Sequence, residues 1–187
     1  MGNLTVITGP MFAGKTRSII SCIQGLPAKA QVKAYKPTVD TRYDTADIIS
    51  HNGERIPAQW VDTDLNGVSL SDFIVVDEAQ FLTLEAVYRI QNLLQQGASI
   101  TLAGLDLDYL ERPFGQMALI FSIASSVVKL TGTCAQCGGM STRTFRKSNH
   151  KEVTLIGGSH TYEPRCYSCY HGVNLAEKQH HLQDALE

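Results

Sequence analysis

The sequence predicts an α/β fold built on a mostly parallel sheet. Three observations carry that prediction. Short, β-branched apolar runs recur through the first two thirds of the chain, and segments with helical periodicity separate them. Two of the runs end in polar punctuation that packing does not explain: a glycine-bearing turn after the first, and paired acids after the third. Strands that alternate with helices pair in parallel and are covered on both faces, so their strands read as continuous apolar runs.

Taken in order, Leu4 to Thr8 (LTVIT) reads as a buried strand. Arg17 to Gln24 reads as a helix stopped by Gly25-Leu26-Pro27. Gln31 to Tyr35 is the second strand, ended by Lys36-Pro37. Thr38 to Gly53 is polar and reads as a functional loop. Phe73 to Val76 (FIVV) is a fully apolar strand followed by Asp77 and Glu78. Leu84, Val87, Ile90, Leu93 and Leu94 recur at helical spacing up to Gly97. Ser99 to Leu105 is a strand, 106–115 a loop, Gln116 to Ala124 a helix and Val127 to Leu130 a last strand. Composition changes at Thr133, after which Cys, Gly and polar residues dominate. The expected division is 1–133, a small module over 134–172, and a polar, flexible tail over 173–187.

The totals bound the function. A chain of 187 residues can bury a core without disulfides, and 43% hydrophobic with 18% charged residues is ordinary for a soluble domain. A formal net charge of -2 gives no global pull toward nucleic acid. No run approaches the roughly 18 apolar residues of a membrane span, and MGNLTVITGP lacks the pattern of a signal peptide. The expected location is the cytoplasm, where five cysteines read as metal ligands or free thiols.

Gly9-Pro10-Met11-Phe12-Ala13-Gly14-Lys15-Thr16 fits G-x-x-x-x-G-K-[ST] and lies between a strand and a helix. Glycines there let backbone N–H groups approach phosphate oxygens, and the helix start adds positive potential. Lys15 is placed for the β and γ phosphates and Thr16 for Mg²⁺. Asp77, at the end of an apolar strand, suits the magnesium shell. Glu78, pointing to the opposite strand face, suits proton removal from an acceptor hydroxyl. Glu78 can also be read as the water-activating acid of an ATPase. Cys134-x-x-Cys137 and Cys166-x-x-Cys169 together supply four thiolates for one structural Zn²⁺. Cys22, near Ile19 and Ile20, reads as a buried small hydrophobe.

These motifs, with DTRY, DEAQF, ERPFG, SVVKLTGTCAQC, EVTLIGGSHTYEPRC and CYSC in order from Leu4 to about Tyr170, make the chain resemble the type II cellular thymidine kinases, which carry a zinc-bound lasso. The resemblance implies a P-loop NTPase domain of the RecA-like kind with a small zinc-containing lasso. It implies transfer of the γ-phosphoryl of ATP to the 5′-hydroxyl of thymidine, and of deoxyuridine, in pyrimidine deoxynucleotide salvage. Glu78 would be the base, Arg42 would steady phosphate charge, and Asp40 would lie beside the metal site. Met11, Phe81, Leu105, Tyr109, Phe114 and Tyr162 would line the thymine pocket. Leu155, Ile156, Gly157 and Gly158 would form the lasso over it, with Gly157 near the sugar 3′-hydroxyl. A homotetramer inhibited by dTTP follows from the same resemblance. Tyr109 stands where many relatives have Phe, and Leu82 where a second Phe is frequent.

Each pocket residue also suits plain core packing, and Arg42 a surface ion pair with Asp40 or Asp44. The competing reading is a P-loop ATPase with a nucleic-acid-binding zinc module, motivated by Arg143, Arg146, Lys147 and Lys151. No nucleic-acid or membrane partner is expected on the favoured reading. His51, His150, His160 and His171 show no metal spacing, and His180 and His181 are expected in solvent.

Overall fold

A computed structural model describes residues 2–42, 44–50, 52–148 and 155–172. The tail expected to be flexible lies outside the described residues, as do Tyr43, His51, His150, Lys151, His180 and His181. The elements run β1 (Asn3–Thr8), α1 (Lys15–Gln24), β2 (Val32–Pro37), β3 (Ile48–Ile49), β4 (Arg55–Ile56), β5 (Gln59–Val61), β6 (Phe73–Val76), α2 (Leu84–Gln95), β7 (Ser99–Gly104), α3 (Met117–Ile123), β8 (Ser126–Lys129), β9 (Gly132–Thr133), β10 (Met140–Ser141), β11 (Arg143–Arg146), β12 (Tyr162–Arg165) and α4 (Tyr167–Tyr170). A single 3₁₀ turn, Ala79–Phe81, follows β6.

Six strands form one sheet in the order β5-β2-β6-β7-β1-β8, and every pairing within it is parallel. Successive residues of each strand serve different layers, because a strand alternates its side chains across the sheet. Val6, Ile74, Val76 and Leu102 pack with Val87 and Ile90 of α2 and Met117 and Ile120 of α3. Their neighbours Ile7, Val75 and Ala103 pack on the other face with Ile19 and Ile20 of α1. Two-sided burial explains why these strands read as unbroken apolar runs. Thr83 caps α2 by accepting from the Ala86 N–H.

Three expectations need correction. Cys22 is exposed. Ile19, Ile20 and Ile23 already define the inward face of α1, and at about 100° per residue Cys22 falls well off that stripe. Thr38 to Gly53 is not all loop, since Ile48–Ile49 pairs with Arg55–Ile56 and puts Ile48 into the α1 layer. Two-residue strands are too short to leave a periodic signal. The edge strand Gln59–Val61 escaped the sequence reading for the same reason. No helix among the described residues is long and apolar enough to cross a membrane.

Candidate functional site

The phosphate-loop motif fills the turn between β1 and α1. Gly9 has φ 139°, and a Cβ there would run into the Leu130 carbonyl, so chain crossing demands glycine. Phe12 also has positive φ, at 65°, in a tightly curled loop. Lys15 Nζ donates to the carbonyls of Gly9 (3.1 Å) and Pro10 (2.8 Å), which holds the ammonium inside the loop. Burial lowers its pKa, and the charges of Glu78, Asp77 and Asp106 oppose that fall. Thr16 Oγ1 donates to Asp77 Oδ2 (3.2 Å), although β6 and β1 are separated by β7. The Asp77 carboxyl is pushed up to about 7, first by burial and then by the neighbouring charge of Glu78.

Glu78 does not continue the strand. β6 ends at Val76, and Glu78 sits in the left-handed region at φ 56°, ψ 40°, heading the 3₁₀ turn. The two acids therefore diverge because of a backbone kink, and not because of strand alternation as the sequence reading held. A non-glycine residue in that region stores on the order of 1–3 kcal/mol, which surrounding contacts must supply. The Glu78 N–H donates to Asp77 Oδ1 (2.9 Å), and the Phe81 N–H donates to the Glu78 carbonyl. Both Glu78 oxygens are engaged: Arg42 Nη2 donates to Oε1, and Gln80 Nε2 to Oε2 at 2.6 Å.

Arg42 is no plain surface ion pair. Its Nε and Nη2 reach Asp40 at 2.6 and 2.8 Å, and Asp40 is fully buried and also paired with Lys36 at 3.0 Å. Burial disfavours the Arg42 cation, but Glu78 and Asp40 outweigh it and hold the group above its ordinary pKa. The result is a chain, Lys36–Asp40–Arg42–Glu78, in which cations and anions alternate. Asp40 borders the phosphate cleft with Thr16 and Asp77.

Behind Glu78 lies an aromatic slot of about 50 Å³, beside a phosphate cleft of about 550 Å³. Met11, Phe81, Leu105, Tyr109, Phe114, Leu155, Ile156, Gly157 and Tyr162 all line the slot. Gly158 lines the phosphate cleft instead. Phe81 and Phe114 meet edge to face at 5.9 Å. Tyr162 Oη donates to the Leu155 carbonyl (2.7 Å) and ties the covering segment down.

Gln80, Thr144 and Arg146 also line the slot, and sequence reasoning missed them there. Arg146 lies 3.6 Å over the Tyr109 ring and donates to Tyr162 Oη at 2.7 Å. Thr144 Oγ1 accepts from the Met11 N–H (3.0 Å) and so joins β11 to the phosphate loop. No local pattern could have found the last two, because β11 comes from a distant part of the chain. Only Gln80 carried a signal, its place in DEAQF. The same geometry weakens the nucleic-acid reading: Arg146 is buried, and Arg143 is paired with Glu111.

The four cysteines converge, with all sulfur atoms within 4.8 Å of one another. The β9–β10 turn brings Cys134 and Cys137, and the start of α4 brings Cys166 and Cys169. Burial works against the Cys134 thiolate, but N–H groups of Cys166, Cys137 and Gln136 draw its pKa down to about 6. Cys169 is pushed up to about 12, foremost by its bond to the Cys166 sulfur and next by desolvation. A cation shared among the four would let all of them ionise together. Tyr170 Oη donates to the Tyr109 carbonyl, and His171 lies 2.8 Å from Glu111, so this knot grips the loop that carries Tyr109.

Fold and site together define a P-loop protein whose phosphate cradle opens, across one carboxylate, onto an aromatic slot. Residues 2–170 match the model of the thymidine kinase family. The chain is 36% identical to the thymidine kinase of Porphyromonas gingivalis over 173 residues, 90% of this chain and 85% of that one. It is 39% identical to that of Coprothermobacter proteolyticus over 88% of each chain. It is 36% identical to that of the Aster yellows witches'-broom phytoplasma over 88% of this chain and 85% of the relative. The chain belongs to the thymidine kinase family.

Proposed function

We propose that this protein is an ATP-dependent phosphotransferase that moves the γ-phosphoryl of ATP to the 5′-hydroxyl of thymidine, and of deoxyuridine. One observation carries the reading. The phosphate cleft and the aromatic slot share Met11, Asp40, Arg42, Glu78 and Leu105, so Glu78 stands where a nucleoside hydroxyl and a terminal phosphate would meet. Phosphoryl transfer asks little beyond positioning and charge neutralisation, and these residues supply both.

Glu78 takes the proton of the 5′-hydroxyl as that oxygen attacks phosphorus. Lys15 and the N–H groups of Gly14, Lys15 and Thr16 at the start of α1 hold the phosphates, and Arg42 offsets their charge. Thr16 and Asp77 give a hard oxygen donor pair that would hold Mg²⁺, and the ion would supply neutralisation of phosphate charge there. Four cysteine sulfurs within 4.8 Å of one another would suit a structural Zn²⁺ with no open position. Phe81, Phe114, Tyr109 and Tyr162 line an aromatic slot suited to a pyrimidine. Backbone groups of Leu155, Ile156 and Gly157 read its polar edge, and the covering segment keeps water from the phosphoryl group.

On the same reading the protein works in the cytoplasm, dTTP is its feedback inhibitor, and the assembly is a homotetramer with no nucleic-acid partner. The exposed edge strand β8, with Val127 and Val128 in solvent, is surface that assembly would cover. The test is product analysis with ATP, Mg²⁺ and each of thymidine, deoxyuridine, deoxycytidine and deoxyadenosine. Thymidine monophosphate as main product supports the reading. ATP hydrolysis without any nucleoside monophosphate rejects it. Glu78→Gln should lower turnover by roughly 10²–10⁴-fold while thymidine still binds.

A further inference from the structure

Gln80 is 3% exposed and sits two residues beyond Glu78, inside the 3₁₀ turn. Its Oε1 accepts from the Leu105 N–H at 3.0 Å, and its Nε2 donates to Glu78 Oε2 at 2.6 Å. These two contacts leave the amide one orientation. A backbone N–H only donates, so the amide oxygen must face Leu105. The NH₂ group then must face Glu78, which has to present an accepting oxygen.

Packing removes other placements. A Cβ on Gly104 would come within 2.9 Å of Gln80 Oε1 and 3.0 Å of its backbone nitrogen, and one on Gly115 would overlap the Gln80 carbonyl. Leu105 directly follows β7, which lies between β6 and β1. Glu78 Oε2 is thereby referenced to the centre of the sheet through one rigid amide. The other oxygen, Oε1, is held by Arg42, whose side chain is 29% exposed and comes from the segment after β2. The acid thus has a fixed anchor on one oxygen and a loop-borne cation on the other.

We propose that Gln80 is the positioning residue for Glu78, aiming its carboxylate at the acceptor hydroxyl while Arg42 attends to the phosphoryl charge. The proposal rests on the reading of Glu78 as base. Gln80 also lines the slot, but it acts on the transfer step through Glu78.

A double-mutant cycle tests this, using the full chain with thymidine, ATP and Mg²⁺. Single-turnover kcat, thymidine Kd by calorimetry and thermal midpoint are measured for the wild type, Gln80→Met, Glu78→Gln and the double variant. Gln80→Met should lower kcat roughly 10- to 100-fold through misplacement of the acid, and because Gln80 also lines the slot the change in thymidine Kd should be the smaller of the two. In the Glu78→Gln background it should cost no further turnover, because both changes disable one unit. Multiplicative losses, or a loss that appears only in Kd, overturn the proposal. Full kcat in Gln80→Met with Glu78→Gln inactive removes Gln80 alone. Full kcat in Glu78→Gln removes the base reading, and Gln80's role with it. Should Gln80→Met not fold, the uncharged Gln80→Asn, one methylene too short to span Leu105 and Glu78 together, replaces it, and the same cycle is read from it.

Discussion

The loops that follow strands of the six-stranded sheet and the segment from Gly132 to His171 both present groups to the aromatic slot, but the two regions are held together by different physics. The sheet is covered on two faces by apolar layers, and residues such as Leu4, Val6, Ile19 and Leu102 lose all or nearly all their solvent exposure. Among the described residues, neither apolar cluster includes any residue beyond Leu130. The later segment has two-stranded ladders, a four-residue helix and four converging thiols. A region that small cannot bury enough apolar surface to order itself, and four cysteines positioned to bind a metal stand where a core would be. The phosphate end is thus rigid through packing. The slot end is held by polar ties such as Tyr170 to Tyr109 and Thr144 to Met11, beside the cysteine cluster.

Metal removal breaks the comparison most strongly. Chelation, or Cys134→Ser, should abolish thymidine phosphorylation and thymidine binding while far-UV circular dichroism of the sheet and ATP binding persist. Loss of ATP binding together with thymidine binding would show that the two regions share one stability. Leu102→Ala works from the other side: it should cost about 2–5 kcal/mol and lower the thermal midpoint for both substrates' binding alike.

Asp40→Asn is smaller and carries a pH signature. Burial alone would raise the Asp40 pKa, but Arg42 and then Lys36 bring it below 3.8. A depressed folded pKa contributes stability that is present above about pH 4 and is lost as pH falls through the folded value. Acid unfolding followed by tryptophan fluorescence should therefore lose part of its steepness below about pH 4 in the variant. An unchanged acid limb would remove Asp40 from the account. Tyr170→Phe is the mildest change. One hydrogen bond of about 0.5–1.5 kcal/mol is lost, so the thymidine KM should rise roughly 2- to 10-fold with the ATP KM and thermal midpoint nearly unmoved. Equal change in both KM values would argue against a tie specific to the nucleoside end.

Legibility in the sequence follows the same division. β1, β6, β7, α1 and α2 were readable because long-range burial on two faces imposes local periodicity, and the phosphate loop was readable because its mechanism fixes spacing. The hairpin at Ile48 and the strand at Gln59 were not, being too short for any period. Cys22 was misjudged because proximity to isoleucines in sequence does not fix the angle around a helix.

The sequence by itself determined the parallel α/β plan, the phosphate cradle, the paired acids and the four thiols, since each depends on residue type at fixed local spacing. Tertiary structure alone decided the left-handed turn at Glu78, the Gln80 amide held against Leu105, and the entry of Thr144 and Arg146 into the slot. Those contacts join residues far apart in the chain or depend on a backbone kink. Their geometry comes from how strands and turns are packed together, which no local window of residues encodes.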